Sequence, residues 1–335
     1  MFYVASYPLA VALCVVTMIC WGSWANTTKL ASDHWRFELF YWDYALGILA
    51  LSVLAAFTLG SAGEGGRSFL PDLAQADAAS LGSALLGGVL FNAANILLVA
   101  AIAIAGMSVA FPVGIGLALV IGVIVNYLDV PEGDPTLLFG GVALVAAAIV
   151  LNALAYRRLT RGRSSDADTA SGKGLLLAVV AGCLMGLFYK YVAQAMFADP
   201  SLPEAGKLSP YTAVVVFSVG IFLSTFLFNG ALMARPFVGE PVGIGRYFAG
   251  ARRDHLVGLA GGAVWCVGML LNILAAGTAG PAISYGLGQG ATVIAALWGI
   301  YVWREFAEAP AGTSRLLNIM LVLYVLGLGL IIGAR

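Results

Sequence analysis

Ten stretches of about 20 predominantly apolar residues, joined by short polar connections, leave this chain few ways to fold. They run roughly over 7–29, 38–60, 80–104, 108–128, 136–156, 174–197, 209–233, 254–277, 281–303 and 316–333. Inside a bilayer each backbone N–H and C=O must be bonded within its own segment, so stretches of this length read as spanning helices. The composition agrees: 61% of residues are hydrophobic and 10% charged, against about 25% charged in soluble domains. The expected fold class is an all-α integral membrane protein. A formal net charge of zero removes the basic surface that nucleic-acid binding needs. Cys14, Cys20, Cys183 and Cys266 all lie in apolar runs, where they act as small hydrophobes and form no metal or disulfide pattern. Met1 to Tyr7 carries no Lys or Arg and no cleavage site follows, so the first stretch reads as a retained helix.

Near the midpoint, Tyr156 to Lys173 contains no apolar segment and five of the seventeen Lys and Arg residues. Its Ser, Asp, Gly and clustered charge read as a solvated linker, dividing the chain into 1–156, 157–173 and 174–335. Thirteen basic residues, Arg157 to Lys173 among them, fall on one side of the expected membrane and only Arg67, Lys207 and Arg335 on the other. By the positive-inside rule the linker is cytoplasmic and both termini are outside. That places the protein as a multi-pass plasma-membrane, or bacterial inner-membrane, protein with lipid around it.

Five spans on each side of the linker is an odd number, so related halves must be inverted. Sliding Gly87–Gly122 onto Gly261–Ala296 without a gap pairs Gly87 with Gly261, Gly88 with Gly262, Phe91 with Trp265 and Phe111 with Tyr285. The tight connections Ala105-Gly106-Met107 and Thr278-Ala279-Gly280-Pro281 fall at the same place in both copies. Two inverted five-helix repeats with a midplane site are a transporter arrangement. The rows Gly114, Ala118, Gly122 and Gly288, Thr292, Ala296 are small-residue seams for helix packing.

Polar side chains in hydrocarbon are costly, so those inside spans are candidates for function. In the first span Trp21 and Trp24 suit either an interfacial belt or a binding platform, with Asn26 and Lys29 following. In the second, Asp43 suits either an ion pair with Lys29 or a proton carrier. Asn92 and Asn95, spaced i, i+3, can glue helices or bind a neutral polar solute. Tyr189, Lys190 and Gln194 lie past the middle of the sixth span, where Lys190 either snorkels or takes a partner. Trp265 and Asn272 in the eighth span, and Tyr285 and Gln289 in the ninth, complete the expected substrate site. The expected proton-coupling pair is Asp43 with Lys29. No HExxH, GxSxG or paired acidic metal motif occurs, so neither an enzyme nor a cofactor is expected.

The runs Met18-Ile19-Cys20-Trp21-Gly22-Ser23-Trp24-Ala25-Asn26-Thr27-Thr28-Lys29, Phe40-Tyr41-Trp42-Asp43-Tyr44-Ala45-Leu46-Gly47, Ala56-Phe57-Thr58-Leu59-Gly60 and Phe111-Pro112-Val113-Gly114-Ile115-Gly116 resemble the ureide permease family of the drug/metabolite transporter superfamily. The likeness covers nearly the whole chain. It implies ten helices in two inverted five-helix halves, the drug/metabolite transporter fold, and secondary uptake, proton-coupled, of heterocycles such as allantoin, uracil and related bases. Plant members carry a longer central loop with a Walker-A-like element. Here position 167 is Ala and no Ser or Thr follows Lys173, so nucleotide regulation does not carry over.

Three functions compete on these residues: uptake of a ureide, nucleobase or nucleoside-like heterocycle; sugar uptake of the rhamnose, glucose or ribose type; and export of drugs or metabolites. An exporter calls for a deep acidic residue, and Asp43 is shallow. The expected partners are a small-molecule substrate, H+ as coupling ion, and a second copy in a homodimer. The charge count makes one direct prediction. A cysteine at Ser165 will resist a membrane-impermeant thiol reagent in intact cells and react after lysis; labelling of intact cells reverses the orientation.

Overall fold

The structure, a computed structural model, describes residues 1–32, 34–63, 65–105, 107–160, 168–199, 202–237, 239–307 and 309–335, side chains 107–109, 111–112, 159–160 and 168–171 excepted. Thirteen α-helices account for most of it: α1 Tyr7–Ser23, α2 Phe37–Phe57, α3 Phe69–Gln75, α4 Ala78–Ala105, α5 Met107–Asp129, α6 Pro135–Thr160, α7 Asp168–Ala195, α8 Pro210–Ala234, α9 Gly245–Phe248, α10 Arg252–Ala279, α11 Pro281–Gly288, α12 Ala291–Leu297 and α13 Thr313–Gly333. Among the described residues there is no strand, only an isolated bridge between Met196 and Leu208. Nine helical runs among the described residues are long and apolar enough to span a bilayer, and α5 supplies a shorter tenth, apolar over Val113–Asp129.

Two spans are not plain α-helices. The first passes at Trp24 into a 3-10 helix, Trp24–Leu30. Its own side chains bring this about: Asn26 Nδ2, Thr27 Oγ1 and Thr28 Oγ1 each donate to the carbonyl three residues back, at 3.2, 2.6 and 2.6 Å. Such local bonding tightens the turn at the expense of the α ladder. The ninth span is broken: α11 stops at Gly288, Gln289 and Gly290 form a turn, and α12 runs into a π-helical turn, Trp298–Val302. The helices also reach into the expected 157–173 linker, α6 to Thr160 and α7 from Asp168. The core of that linker, 161–167, and Gly106 of the first tight connection lie outside the described residues. The second connection turns on Gly280, whose φ of +84° suits glycine after a helix end.

The main helix pairs correspond when the halves are exchanged. α4 packs on α7 and α8, as α10 packs on α1 and α2; α5 packs on α6 and α7, as the ninth span packs on α13 and α1. α2 meets α8, and α6 meets α13, across the exchange. Four glycines make the closest approaches to a facing backbone. A β-carbon at Gly88 would overlap the Phe217 carbonyl, and one at Gly262 the Tyr44 carbonyl; Gly220 faces the Leu85 carbonyl and Gly47 that of Leu259 in the same way. Backbones in lipid come this close only where side chains are absent.

Both termini lie at one end of the bundle. Met1 donates its amino group to Gly65 O at 2.5 Å, Thr278 Oγ1 donates to Val4 O at 2.6 Å, and Arg335 pairs with Glu132 at 3.6 Å. The connections around 24–36, 235–253 and 304–313 gather at the opposite, linker end. Overfilling a tight seam costs about 1–3 kcal/mol. Gly88→Ala and Gly262→Ala will each lower the unfolding temperature in detergent, whereas Gly82→Ala, with no atom near its would-be β-carbon, will not.

Candidate functional site

At the centre of the bundle aromatic side chains from six spans converge. Trp21 stacks on Trp265 with centroids 5.8 Å apart at 13°, and its indole Nε1 donates to Trp265 O at 3.2 Å. Trp265 lies 4.3 Å from Phe91 and is stacked at 6.0 Å with Phe217. The two residues paired by the internal alignment, Phe91 and Trp265, thus meet, their rings tilted at 36°. Beside them Tyr189 lies 5.2 Å from Tyr285; its hydroxyl donates to Asn272 O at 3.3 Å, and that of Tyr285 reaches the carbonyls of Ala118 at 3.0 Å and Met185 at 3.1 Å. Asn272 Nδ2 donates to Ser284 O at 2.8 Å, but its Oδ1 is buried without a partner. The break in the ninth span is at this level, because a β-carbon at Gly288 would touch both the Trp21 ring at 2.8 Å and Asn272 Nδ2 at 2.9 Å. Trp21, Tyr189, Trp265, Asn272 and Tyr285 therefore share one centre, and Gln289, buried, sits at the break itself.

Asn92 does not join them. Its Oδ1 accepts from Tyr41 at 2.7 Å, and its Nδ2 reaches Ile221 O at 3.1 Å, Ser224 Oγ at 2.7 Å and Thr225 Oγ1 at 3.2 Å. An amide has two protons to donate, so none is left for a solute. Asn92 ties α2, α4 and α8 together. Asn95 donates to the same Tyr41 hydroxyl at 3.1 Å. Trp24 also leaves the centre and lies on Tyr44 at 4.6 Å.

Each end of the bundle holds a cavity and an ion pair. At the termini end a cavity of about 640 Å³ is lined by Asp77, Asp129, Gln194, Glu204 and Lys207 among others. On its rim Lys190 pairs with Asp129 at 3.3 Å, and Gln194 donates to the same carboxylate at 2.7 Å. Lys190 and Gln194 thus belong to the rim, not to the aromatic centre. Asp77 caps α4 by accepting from Ser80 N at 2.6 Å, and this bonding holds its carboxyl below the usual range. At the linker end Lys29 pairs with Glu305 at 3.3 Å and covers the Trp303 ring at 4.2 Å, while Asn26 Oδ1 accepts from Trp303 Nε1 at 2.7 Å. The first pair joins α7 to α5, the second the first span to the end of the ninth. These are the helix pairs that the exchange of halves interconverts.

Lys29 is therefore not the partner of Asp43. Asp43, 2% exposed, accepts from Tyr247 at 2.6 Å and lies 2.8 Å from His255 Nδ1. The 3-10 turn carries Lys29 to the ninth span, and the packing of α2 on α10 delivers His255 instead. Burial and the neighbouring carboxylate raise the Tyr247 hydroxyl above the ordinary tyrosine range, so it remains a donor. Neither Tyr247 nor His255 was among the residues marked by the sequence. Their only signal was a histidine one turn from the start of an apolar stretch.

The sequence profile of the family described as Ureide permease matches residues 40–169 and 163–334. The chain belongs to the ureide permease family. Curated relatives include Ureide permease 1 of Arabidopsis thaliana, 22% identical over 100% of this chain and 99% of its own length. Ureide permease 2 of the same plant is 23% identical over 97% and 96%. A solved crystal structure is similar over 96% of this chain and 95% of its own, with a TM-score of 0.60 and 17% identity, a likeness of fold alone. A ureide permease is a multi-pass transporter, not an enzyme, and the aromatic centre, end cavities and broken helix are read as parts of one.

Loss of the Asn92 amide leaves the buried Tyr41 hydroxyl without its acceptor, and such an orphan costs about 1–3 kcal/mol. Asn92→Leu will therefore lower the unfolding temperature and the yield of folded protein, where a ligand-only role would leave both unchanged.

Proposed function

We propose that this ureide permease takes up a small, flat, neutral nitrogen heterocycle, a ureide or nucleobase, with protons as coupling ion. The observation that carries this reading is the Trp21–Trp265 stack beside the unpartnered Asn272 Oδ1 at the break of the ninth span. A planar ring stacks on indole, and a ring N–H supplies the donor that Asn272 lacks. Broken helices at the midplane are where secondary transporters place such sites. The names of the curated relatives favour a ureide over a sugar.

Residues 1–156 and 174–335 act as two inverted repeats that rock about this centre, with the linker cytoplasmic and the termini outside. The Lys190–Asp129 and Lys29–Glu305 pairs are the outer and inner gates. Both are exposed enough to break at little cost, since such pairs are worth about 0–1 kcal/mol. Proton coupling falls to Asp43 with His255. A buried carboxylate held by an imidazole can pass its proton to a ring that is one quarter exposed.

The test is uptake of radiolabelled allantoin and uracil into cells under an inward proton gradient, with ribose as competitor. Wild type will accumulate one of the two against ribose. Trp265→Ala will raise the half-saturating concentration roughly fivefold, as loss of a stacking partner worth about 1 kcal/mol implies. Asp43→Asn will lose gradient-driven accumulation and keep counterflow exchange, which needs no net proton movement. Normal accumulation by Asp43→Asn removes Asp43 from coupling, and displacement by ribose moves the reading to a sugar.

A further inference from the structure

The linker-end cavity is small, about 250 Å³, and lies between the first span, α6 and the ninth span. Gly22, the neighbour of Trp21, is on its wall, so it opens directly below the aromatic centre. Nearly every polar group around it is already engaged. Trp303 Nε1 donates to Asn26 Oδ1 at 2.7 Å, Trp298 Nε1 to Ser23 Oγ at 2.8 Å and Tyr156 OH to Glu305 Oε2 at 2.5 Å. The exception is Asn152 on α6. Its side chain lines the cavity, it is 8% exposed, and its Oδ1 is buried with no hydrogen-bond partner.

A buried amide oxygen left unpaired destabilises the fold that carries it, so its place on a cavity wall points to a donor brought from outside. The remaining features narrow the donor's chemistry. Trp298 and Trp303 are stacked at 6.3 Å, and the π-helical turn at 298–302 aligns the segment between them; π turns of this kind concentrate at functional sites. Lys29 and Glu305 are the charged groups on the wall and neutralise each other at 3.3 Å. A cavity below the roughly 300–1,000 Å³ of drug-sized pockets admits little more than one ring.

From these features we infer that the cavity is a second substrate subsite, on the release path at the linker end, which holds a neutral single-ring heterocycle through an N–H donated to Asn152 Oδ1. It rests on the transport reading above and adds a station that the central stack does not supply. Substrate passing inward leaves Trp21 and Trp265, rests between Asn152 and the Trp298/Trp303 wall, and departs when Lys29 and Glu305 separate.

Half-saturating concentrations of labelled allantoin and uracil, measured separately at the two ends, test this. Inside-out and right-side-out vesicles present the two ends, with orientation fixed by the Ser165 cysteine reaction. Asn152→Leu will raise the half-saturating concentration at the linker end roughly three- to tenfold, the loss of one hydrogen bond, and leave the termini end unchanged. With no ligand its unfolding temperature will not fall, because no partner within the protein is lost. No shift at either end, or an equal shift at both, overturns the subsite while the transport reading stands. If Asn152→Leu does not insert, Asn152→Ala carries the same expectation as a reduced rise in unfolding temperature on adding allantoin; an undiminished rise overturns the subsite. Wild-type vesicles that move neither probe overturn the transport reading and the subsite with it.

Discussion

Helix association in lipid lacks the hydrophobic drive that assembles soluble domains, so it depends on how closely backbones can approach. In this chain that approach is made by four glycines that meet carbonyls of the facing helix, Gly88 and Gly220 between α4 and α8, Gly47 and Gly262 between α2 and α10. These seams hold α2 and α8 against the central pair of helices, and they bring Phe91, Phe217 and Trp265 within stacking distance. The third close pair, Gly141 and Gly327, joins α6 to α13, each β-carbon position falling 2.6–2.8 Å from the other's carbonyl.

Polar side chains inside the bundle fall into two kinds. Asn92, Asn95 and Tyr41 form a network in which the Asn92 amide protons and the Tyr41 hydroxyl are spent on the protein, and such a network specifies one arrangement of helices. Asn272 and Asn152 each leave an oxygen unpartnered in a buried setting. One stands beside the Trp21 stack and the other on the wall of the linker-end cavity, and Tyr44 OH, Asn229 Oδ1, Ser284 Oγ and Tyr324 OH are likewise left unpartnered in the bundle. The first kind stabilises the fold.

Alternating access needs contacts that can be exchanged at low cost. The first span ends in a 3-10 turn, the ninth is interrupted at Gln289–Gly290, and both end at the Lys29–Glu305 pair. The opposite ion pair, Lys190 with Asp129, joins continuous helices. The two halves therefore share a packing plan but not a helix geometry, and the non-α segments lie in the first and ninth spans.

How much was legible in the sequence follows from the range of each interaction. Apolar length, loop charge and the period of small residues are local, so the helical class, the spans and the gapless match of Gly88 to Gly262 stood in the sequence alone. Trp21, Tyr189, Trp265, Asn272 and Tyr285 could be named because deep polar or aromatic side chains must face the interior of a bundle whatever its arrangement. Partners were another matter. Asp43 faces a choice between Lys29, fourteen residues away, and His255, 212 residues away, and side chains of the first span decide it by drawing that helix into a 3-10 turn. Asn92 looks the same in sequence whether it binds a solute or ties α4 to α8; only the arrival of Tyr41, Ser224 and Thr225 settles that. The sequence by itself determined which groups had to be buried, because lipid excludes the alternatives. The tertiary structure alone decided which of them are satisfied, because every one of those bonds closes between spans distant in the chain.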